Sequence, residues 1–188
     1  KSARDLERAV NAELPPLKLE RAEFSVAIAT DPAAIAAEGC DRIEFHVRTN
    51  PGSRAGPLMK VASGGELARF MLALKVALAD RGSAPTLVFD EIDTGVGGAV
   101  ADAIGQRLAR LAVRAQVLAV THAPQVAARS TSHFQIAKSA VGKGERVATR
   151  VQALDGPARR EEIARMLAGA TITDEARAAA RRLIESAG

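Results

Sequence analysis

The strongest constraint on the fold is a pair of short apolar runs set one helix apart. Thr86-Leu87-Val88-Phe89 leads into Asp90-Glu91, and Val117-Leu118-Ala119-Val120 leads into Thr121-His122. Between them Val100, Ile104, Leu108 and Leu111 recur at helical spacing, which predicts an amphipathic helix from Ala99 to Leu111. Strands joined by a helical crossover pair in parallel, because a hairpin needs only a short turn. Continuous apolar strands of this kind predict a parallel sheet covered on both faces. The same order delivers two acids and a histidine to strand carboxyl ends, the edge where open α/β sheets bind ligands.

Upstream, Ser63-Gly64-Gly65-Glu66 opens a second helix, with Leu67, Phe70, Met71, Leu74 and Leu78 on its apolar repeat and Gly82 as its expected end. Paired glycines let backbone N–H groups approach an anion, the helix dipole points its positive end at the same place, and Ser63 adds a hydroxyl. Taken alone, the run suits a plain capped helix start equally well. Asp90 is suited to hold Mg²⁺, since hard cations prefer carboxylate oxygen. Glu91 is placed to orient and deprotonate a water attacking a phosphoryl group. The competing reading is a pair of acids that caps a strand. His122 as a neutral imidazole could bond a phosphate oxygen, or be a satisfied structural residue. Asp93 opens a glycine-bearing loop, Asp93–Gly98, which could cross between subunits or form an Asx turn.

The remaining chain frames these elements. Leu6, Val10 and Leu14 share a face of an N-terminal helix, Lys1–Leu14, stopped by Pro15-Pro16. Phe24, Val26 and Ile28, then Ile43, Phe45 and Val47, alternate as two half-buried strands. Asn50-Pro51-Gly52 ends the second strand, and Ser53–Val61 reads as irregular. Phe134–Ala137 and Val147–Val151 predict a hairpin with Gly142–Glu145 at its tip. Helices around Glu161–Leu167 and Asp174–Ile184 close the chain, with charges of mixed sign that predict solvated surfaces. A net charge of +4, no Trp or Tyr and five Phe permit phosphate contacts but argue against a base-stacking platform. A single cysteine, Cys40, excludes an internal disulfide. No apolar run is long enough to span a bilayer, and Lys1–Leu14 is not a secretory signal, so a cytoplasmic location is expected.

Together the motifs resemble a known group. Ala62-Ser63-Gly64-Gly65-Glu66 is similar to the signature motif of ABC-type ATPases, with Ala62 where Leu is usual. Leu87–Glu91 resembles their Walker B strand, Asp93 the D-loop aspartate and His122 the switch histidine. Lys60–Arg69, Met71–Lys75, Phe89–Gly98, Thr121–Ala127, Thr49–Gly52 and Glu162–Gly169 resemble the RecN family of SMC-like DNA repair proteins. The resemblance implies the C-terminal half of an ABC-type ATPase head, α/β with a mostly parallel sheet flanked by helices and an antiparallel strand pair near the N-terminus. Residues 1–15 would be the stub of a descending coiled-coil helix, and 16–188 the head segment.

By that pattern Glu91 and His122 are catalytic. Ser63, Gly64, Gly65, Glu66 and Asp93 bind nucleotide, and Asp90 holds Mg²⁺. ATP and Mg²⁺ are the implied cofactors. The implied partners are an N-terminal head segment carrying the phosphate loop, a second head in a homodimer, and DNA, with no membrane. The expected setting is the nucleoid, and the expected role is double-strand break repair and recombination. No G-x-x-x-x-G-K-[ST] loop is present; the nearest run, Gly142-Lys143-Gly144, lacks the upstream glycine and the hydroxyl residue. The chain by itself is therefore expected to hydrolyse ATP poorly or not at all. Two other classes fit parts of the pattern. One is the nucleotide-binding subunit of a membrane transporter, disfavoured by the two strands upstream of the signature. The other is a non-catalytic DNA-binding module using Arg107, Arg110 and Arg114 or Arg177, Arg181 and Arg182, both sets reading first as solvated helix faces.

Overall fold

The computed structural model describes residues 1–37, 39–79, 84–141, 146–169 and 171–187. It divides into two compact units, Lys1–Val120 and Thr121–Gly188.

In the first unit, helix α1 (Ser2–Glu13) runs into a 3-10 turn at Pro15–Leu17, because consecutive prolines remove the donors a continuing helix needs. Val10, Leu14 and Leu17 are buried. Strand β1 (Glu23–Thr30) pairs antiparallel with β2 (Asp41–Arg48), setting Phe24 opposite Val47 and Ile28 opposite Ile43. α1 seals the backbone of β1. The Asn11 amide donates to the Phe24 carbonyl and accepts from the Phe24 N–H, both at 2.8 Å, and Glu7 accepts from the Val26 N–H at 2.8 Å. These side chains satisfy strand groups that a neighbouring strand would otherwise take.

The run 53–61 is not irregular throughout. It holds a two-residue strand β3 (Gly56–Pro57) paired to β2, then a four-residue helix α2 (Leu58–Val61). Elements this short carry no periodic signal. Helix α3 (Gly64–Ala77) buries Phe70, Leu72, Ala73, Leu74 and Val76. Gly82, its expected end, lies outside the described residues.

Strand β4 (Thr86–Phe89), helix α4 (Gly98–Ala112) and strand β5 (Gln116–Ala119) form the expected crossover, with β4 and β5 parallel and Val88 level with Leu118. The expected flanking helices are present, and the described residues cover the two faces of the β4–β5 pair unequally. Leu87 is buried, but on the opposite face Val88, Leu118 and Val120 are 67%, 48% and 52% exposed. Among the described residues of this unit that face is left largely open, with Ala68, Met71 and Lys75 of α3 bordering it beside Val88.

The second unit contains helix α5 (Pro124–Ala128), the antiparallel hairpin β6 (Phe134–Val141) and β7 (Arg146–Ala153), and helices α6 (Gly156–Ala168) and α7 (Asp174–Glu185). The expected hairpin tip, 142–145, lies outside the described residues. Ala127, Ala128, Ile163, Ala164 and Ala180 form the core, with Met166, Ile172, Leu183 and Ile184 packed around it. Asp155 and Thr173 cap α6 and α7 by accepting from the Ala158 and Ala176 N–H groups. These closing helices bury one face each, beyond the solvated role expected for them.

Candidate functional site

The signature-like run folds as a capping box. Ser63 is the extended N-cap of α3, and the Glu66 carboxylate accepts from its N–H at 3.0 Å and its hydroxyl at 2.8 Å. Those bonds, with the charge of Arg69 beyond them, hold the Glu66 carboxyl below the usual carboxylate range. Gly64 and Gly65 occupy the first turn with no left-handed φ. A Cβ on Gly64 would meet nothing within 4 Å, and one on Gly65 would meet only Arg69 Nη1 at 3.4 Å and the Thr94 carbonyl oxygen at 3.5 Å. Both are ordinary contacts. The chain's own packing therefore does not require glycine at either place, although glycine weakens a helix by up to about 1 kcal/mol relative to alanine.

The same contacts bring the signature turn against the loop that follows β4. In that loop Thr94 N–H donates to the Glu91 carbonyl at 3.1 Å, Val96 N–H donates to the Asp93 carbonyl at 3.3 Å, and Gly95 takes a φ of 72°. Arg69, 7% exposed, lies beside Gly65, its acidity raised by burial. Asp93 is fully buried. The exposed residues of this loop are Thr94, Gly95, Gly97 and Gly98.

Asp90 and Glu91 stand exposed just past β4, where the Val120 N–H extends the ladder by donating to the Phe89 carbonyl at 2.9 Å. Glu91 has a φ of 54°. For a residue with a Cβ this left-handed conformation costs about 1–2 kcal/mol, a strain of the kind found at functional positions. Beside the strand, an open groove of about 290 Å³ runs between α3 and β4, lined by Ala68, Met71, Lys75, Val88, Phe89 and Asp90. Among the described residues no group of three or more His, Cys, Asp and Glu side chains is placed to enclose a metal. A lone exposed carboxylate nevertheless fits Mg²⁺, which keeps several waters and takes its other ligands from phosphate oxygens.

His122 belongs to the second unit and is exposed. Thr121 Oγ1 accepts from the Ala123 N–H at 3.0 Å, and Pro124 starts α5 directly afterwards. At the far end of α5, Arg159 Nη2 donates to the carbonyls of Ala128 at 2.7 Å and Ser130 at 2.6 Å. Glu162, buried on α6, accepts from Gln135 at 2.6 Å and from Arg165 at 2.6 and 2.8 Å, and Arg165 foremost holds its carboxyl below the usual range.

Sequence reasoning missed Arg69, Arg159 and Glu162. The i, i+3 spacings Glu66–Arg69 and Glu162–Arg165 were the available signals. Of the arginines read as solvated helix faces, Arg110, Arg114, Arg177, Arg181 and Arg182 are exposed and only Arg107 departs from that reading. Arg107 is buried and pairs with Glu13 at 2.8 Å, Arg110 pairs with the same carboxylate at 3.1 Å, and Arg177 is held by Glu161 at 2.8 Å and Asp174 at 3.0 Å.

No protein-family model matches the chain. It is 44% identical, over 97% of its length, to the DNA repair protein RecN of Rickettsia prowazekii (strain Madrid E), of which it covers 32%. It is 40% identical, over 98% of its length, to RecN of Halalkalibacterium halodurans, covering 33%, and 50% identical, over 78%, to RecN of Xylella fastidiosa (strain Temecula1), covering 26%. The chain thus spans about a third of the length of the curated relatives it matches. In structure it is similar to the Smc head domain with a coiled coil and joint from Pyrococcus yayanosii, with a TM-score of 0.62 at 17% identity, covering 85% of this chain and 28% of that one. A second likeness, with a TM-score of 0.54 at 15% identity and covering 90% of this chain and 96% of the other, is to a chain from work on ATP-driven dimerization and DNA-stimulated activation of SMC ATPases. The chain is thus similar along nearly all of its length to a segment of the RecN proteins, and its fold is similar to that of an Smc head domain.

Proposed function

We propose that this chain is the C-terminal part of an ATP-hydrolysing head that joins a second head through shared nucleotide, in an SMC-like protein of DNA double-strand break repair and recombination. The observation that carries the reading is the glycine pair. Gly64 and Gly65 weaken the first turn of α3, are not required by the chain's own packing, and stand where the positive end of the helix dipole favours an anion. The names of the relatives, all RecN DNA repair proteins, support the setting, and the ATP-driven dimerization reported for related SMC ATPases supports the two-head arrangement.

In this reading Ser63, Gly64 and Gly65 receive the γ-phosphate held by the opposite head, and Glu66 holds Ser63 in place for it. Asp90 and Glu91 serve the nucleotide of their own head. Bound Mg²⁺, held through Asp90, would neutralise phosphate charge. Glu91 takes a proton from the attacking water as its oxygen closes on the γ-phosphorus and the bond to the β-phosphate oxygen breaks. His122 bonds a γ-phosphate oxygen. Loss of the bridging phosphate removes the attraction between heads, and they separate.

An N-terminal segment carrying the phosphate loop completes the head. The open apolar face of Val88, Leu118 and Val120 supports a further layer there, since exposed β-branched and leucine side chains on a sheet are normally covered. Residues 1–15 form the base of the coiled-coil arm, and the protein works in the cytoplasm at the nucleoid. The paired states of Arg107 and Arg177 weigh against a separate basic DNA-binding module.

The test uses the full-length protein. Glu91→Gln keeps the shape and removes the base, so turnover is abolished and ATP-joined heads accumulate. Ser63→Arg blocks head joining while ATP still binds the phosphate-loop segment. Normal turnover by Glu91→Gln, or unchanged nucleotide-dependent dimerisation by Ser63→Arg, overturns the assignment.

A further inference from the structure

We propose that Arg159 is a positioning residue for His122, acting through the end of helix α5. The proposal rests on the role given to His122 above. α5 spans five residues, Pro124–Ala128, far too few to hold a helix by its own hydrogen bonds, so its direction depends on what grips it. Its side chains Val126, Ala127 and Ala128 are buried, the alanines against Ile163 and Ala164 of α6. Its terminal carbonyls are gripped by one cation. Arg159 Nη2 donates to Ala127 at 3.4 Å, Ala128 at 2.7 Å and Ser130 at 2.6 Å, at the negative end of the helix where carbonyls lack partners. Among the described residues the buried Nε of Arg159 has no hydrogen-bond partner, while its Nη2 is directed at the α5 end.

The other end of α5 has no slack. Ala123 N–H is tied to Thr121 Oγ1 at 3.0 Å, and Pro124 fixes the entry to the helix. His122 sits inside that tie. A tilt of α5 therefore carries His122 with it. The run Glu162–Gly169, one of the stretches that resemble the RecN family, acquires a role here. It begins on the turn of α6 after Arg159, and its Glu162 fastens α6 to Gln135 of β6.

The experiment measures ATP turnover and hydrogen exchange in full-length protein for Arg159→Gln, Arg159→Lys, His122→Ala and the Arg159→Gln/His122→Ala pair. Arg159→Gln is expected to lower kcat about ten- to a hundredfold, the range a small misplacement of a catalytic group produces, while KM for ATP hardly moves. Arg159→Lys, which retains the charge and a donor, recovers part of kcat. In the His122→Ala background Arg159→Gln lowers the residual rate no further, because the two changes disable one element. Exchange of 121–130 rises in Arg159→Gln, with the hairpin unchanged. Additive effects in the pair, or unchanged exchange of 121–130, overturn the proposal. A wild-type rate for His122→Ala instead overturns the role of His122, and the exchange arm then decides the anchoring alone. Arg159→Lys keeps both arms available if the glutamine variant fails to fold.

Discussion

A methyl group on Gly65 would rest 3.5 Å from the Thr94 carbonyl oxygen, so the signature turn and the loop after β4 approach one another with room for one more carbon. A glycine demanded by internal packing behaves differently: Gly56 has Val61 Cγ2 only 2.8 Å from where its Cβ would lie. Gly64→Ala and Gly65→Ala should fold normally and melt at the same temperature as the parent or slightly above it, each stabilising the first turn of α3 by up to about 1 kcal/mol. In the full-length protein the same changes should weaken ATP-dependent head joining. Melting curves alongside nucleotide-dependent sedimentation check both halves. A loss of stability at Gly64 would return the glycines to a structural role.

The capping box gives a separate expectation. Ser63→Ala removes a hydroxyl donor to Glu66 and should destabilise the unit by about 1 kcal/mol, the usual cost of a lost N-cap. Because Glu66 titrates lower in the folded chain than in the unfolded one, its contribution is present above the ordinary carboxylate value and fades as pH falls through the lowered one. Glu66→Gln should therefore flatten the acid limb of a stability profile below about pH 4.5, read by denaturant titration at successive pH values.

His133 makes the second unit sensitive in a higher range. Burial, and next the charge of Arg159, push its imidazole below the ordinary value of 6.5, so the folded chain keeps it neutral. For a base with a depressed pKa the unfolded state binds the extra proton. Stability is complete above 6.5 and declines as pH falls from there toward the lowered value. The melting temperature of this unit should drop between neutrality and mild acid, and His133→Leu should remove that part of the slope. A slope unchanged by His133→Leu would assign it to other groups.

What the sequence made legible follows from length and period. α3, β4, α4 and β5 were readable because each carries an apolar repeat long enough to set its type, and the parallel pairing of β4 with β5 followed from the helix between them. β3, α2 and α5 were not readable, since two to five residues hold no period and their shape is set by neighbours. The candidate site could be proposed from sequence only as a list of chemical types: Ser63, the glycines, Asp90, Glu91 and His122. Its interior was not legible. Asp93 read as a loop acid, with nothing in the sequence to mark it as fully buried, and Arg107 looked like a solvated charge and is paired inside the α1–α4 contact. Charge reads as surface in a sequence because a partner ninety residues away is invisible there.

That buried pair yields the sharpest stability prediction. Arg107 sits on α4, where its Nη1 also donates to the Ala103 carbonyl at 3.0 Å, and its Nε lies 2.8 Å from the Glu13 carboxylate on α1. Glu13 also meets Arg110, which is exposed and adds little. Removing one member of a buried pair strands the other charge without water, so Glu13→Ala and Arg107→Ala should each destabilise the first unit by about 3 kcal/mol. Replacing both at once, as Glu13→Leu with Arg107→Met, removes both desolvation costs and should leave stability close to the parent, well short of the sum of the single changes. Denaturant melts of the four proteins measure the cycle. Single variants that lose less than about 1 kcal/mol would show that water reaches the pair and that α1 is held by Glu7, Asn11 and its apolar face alone.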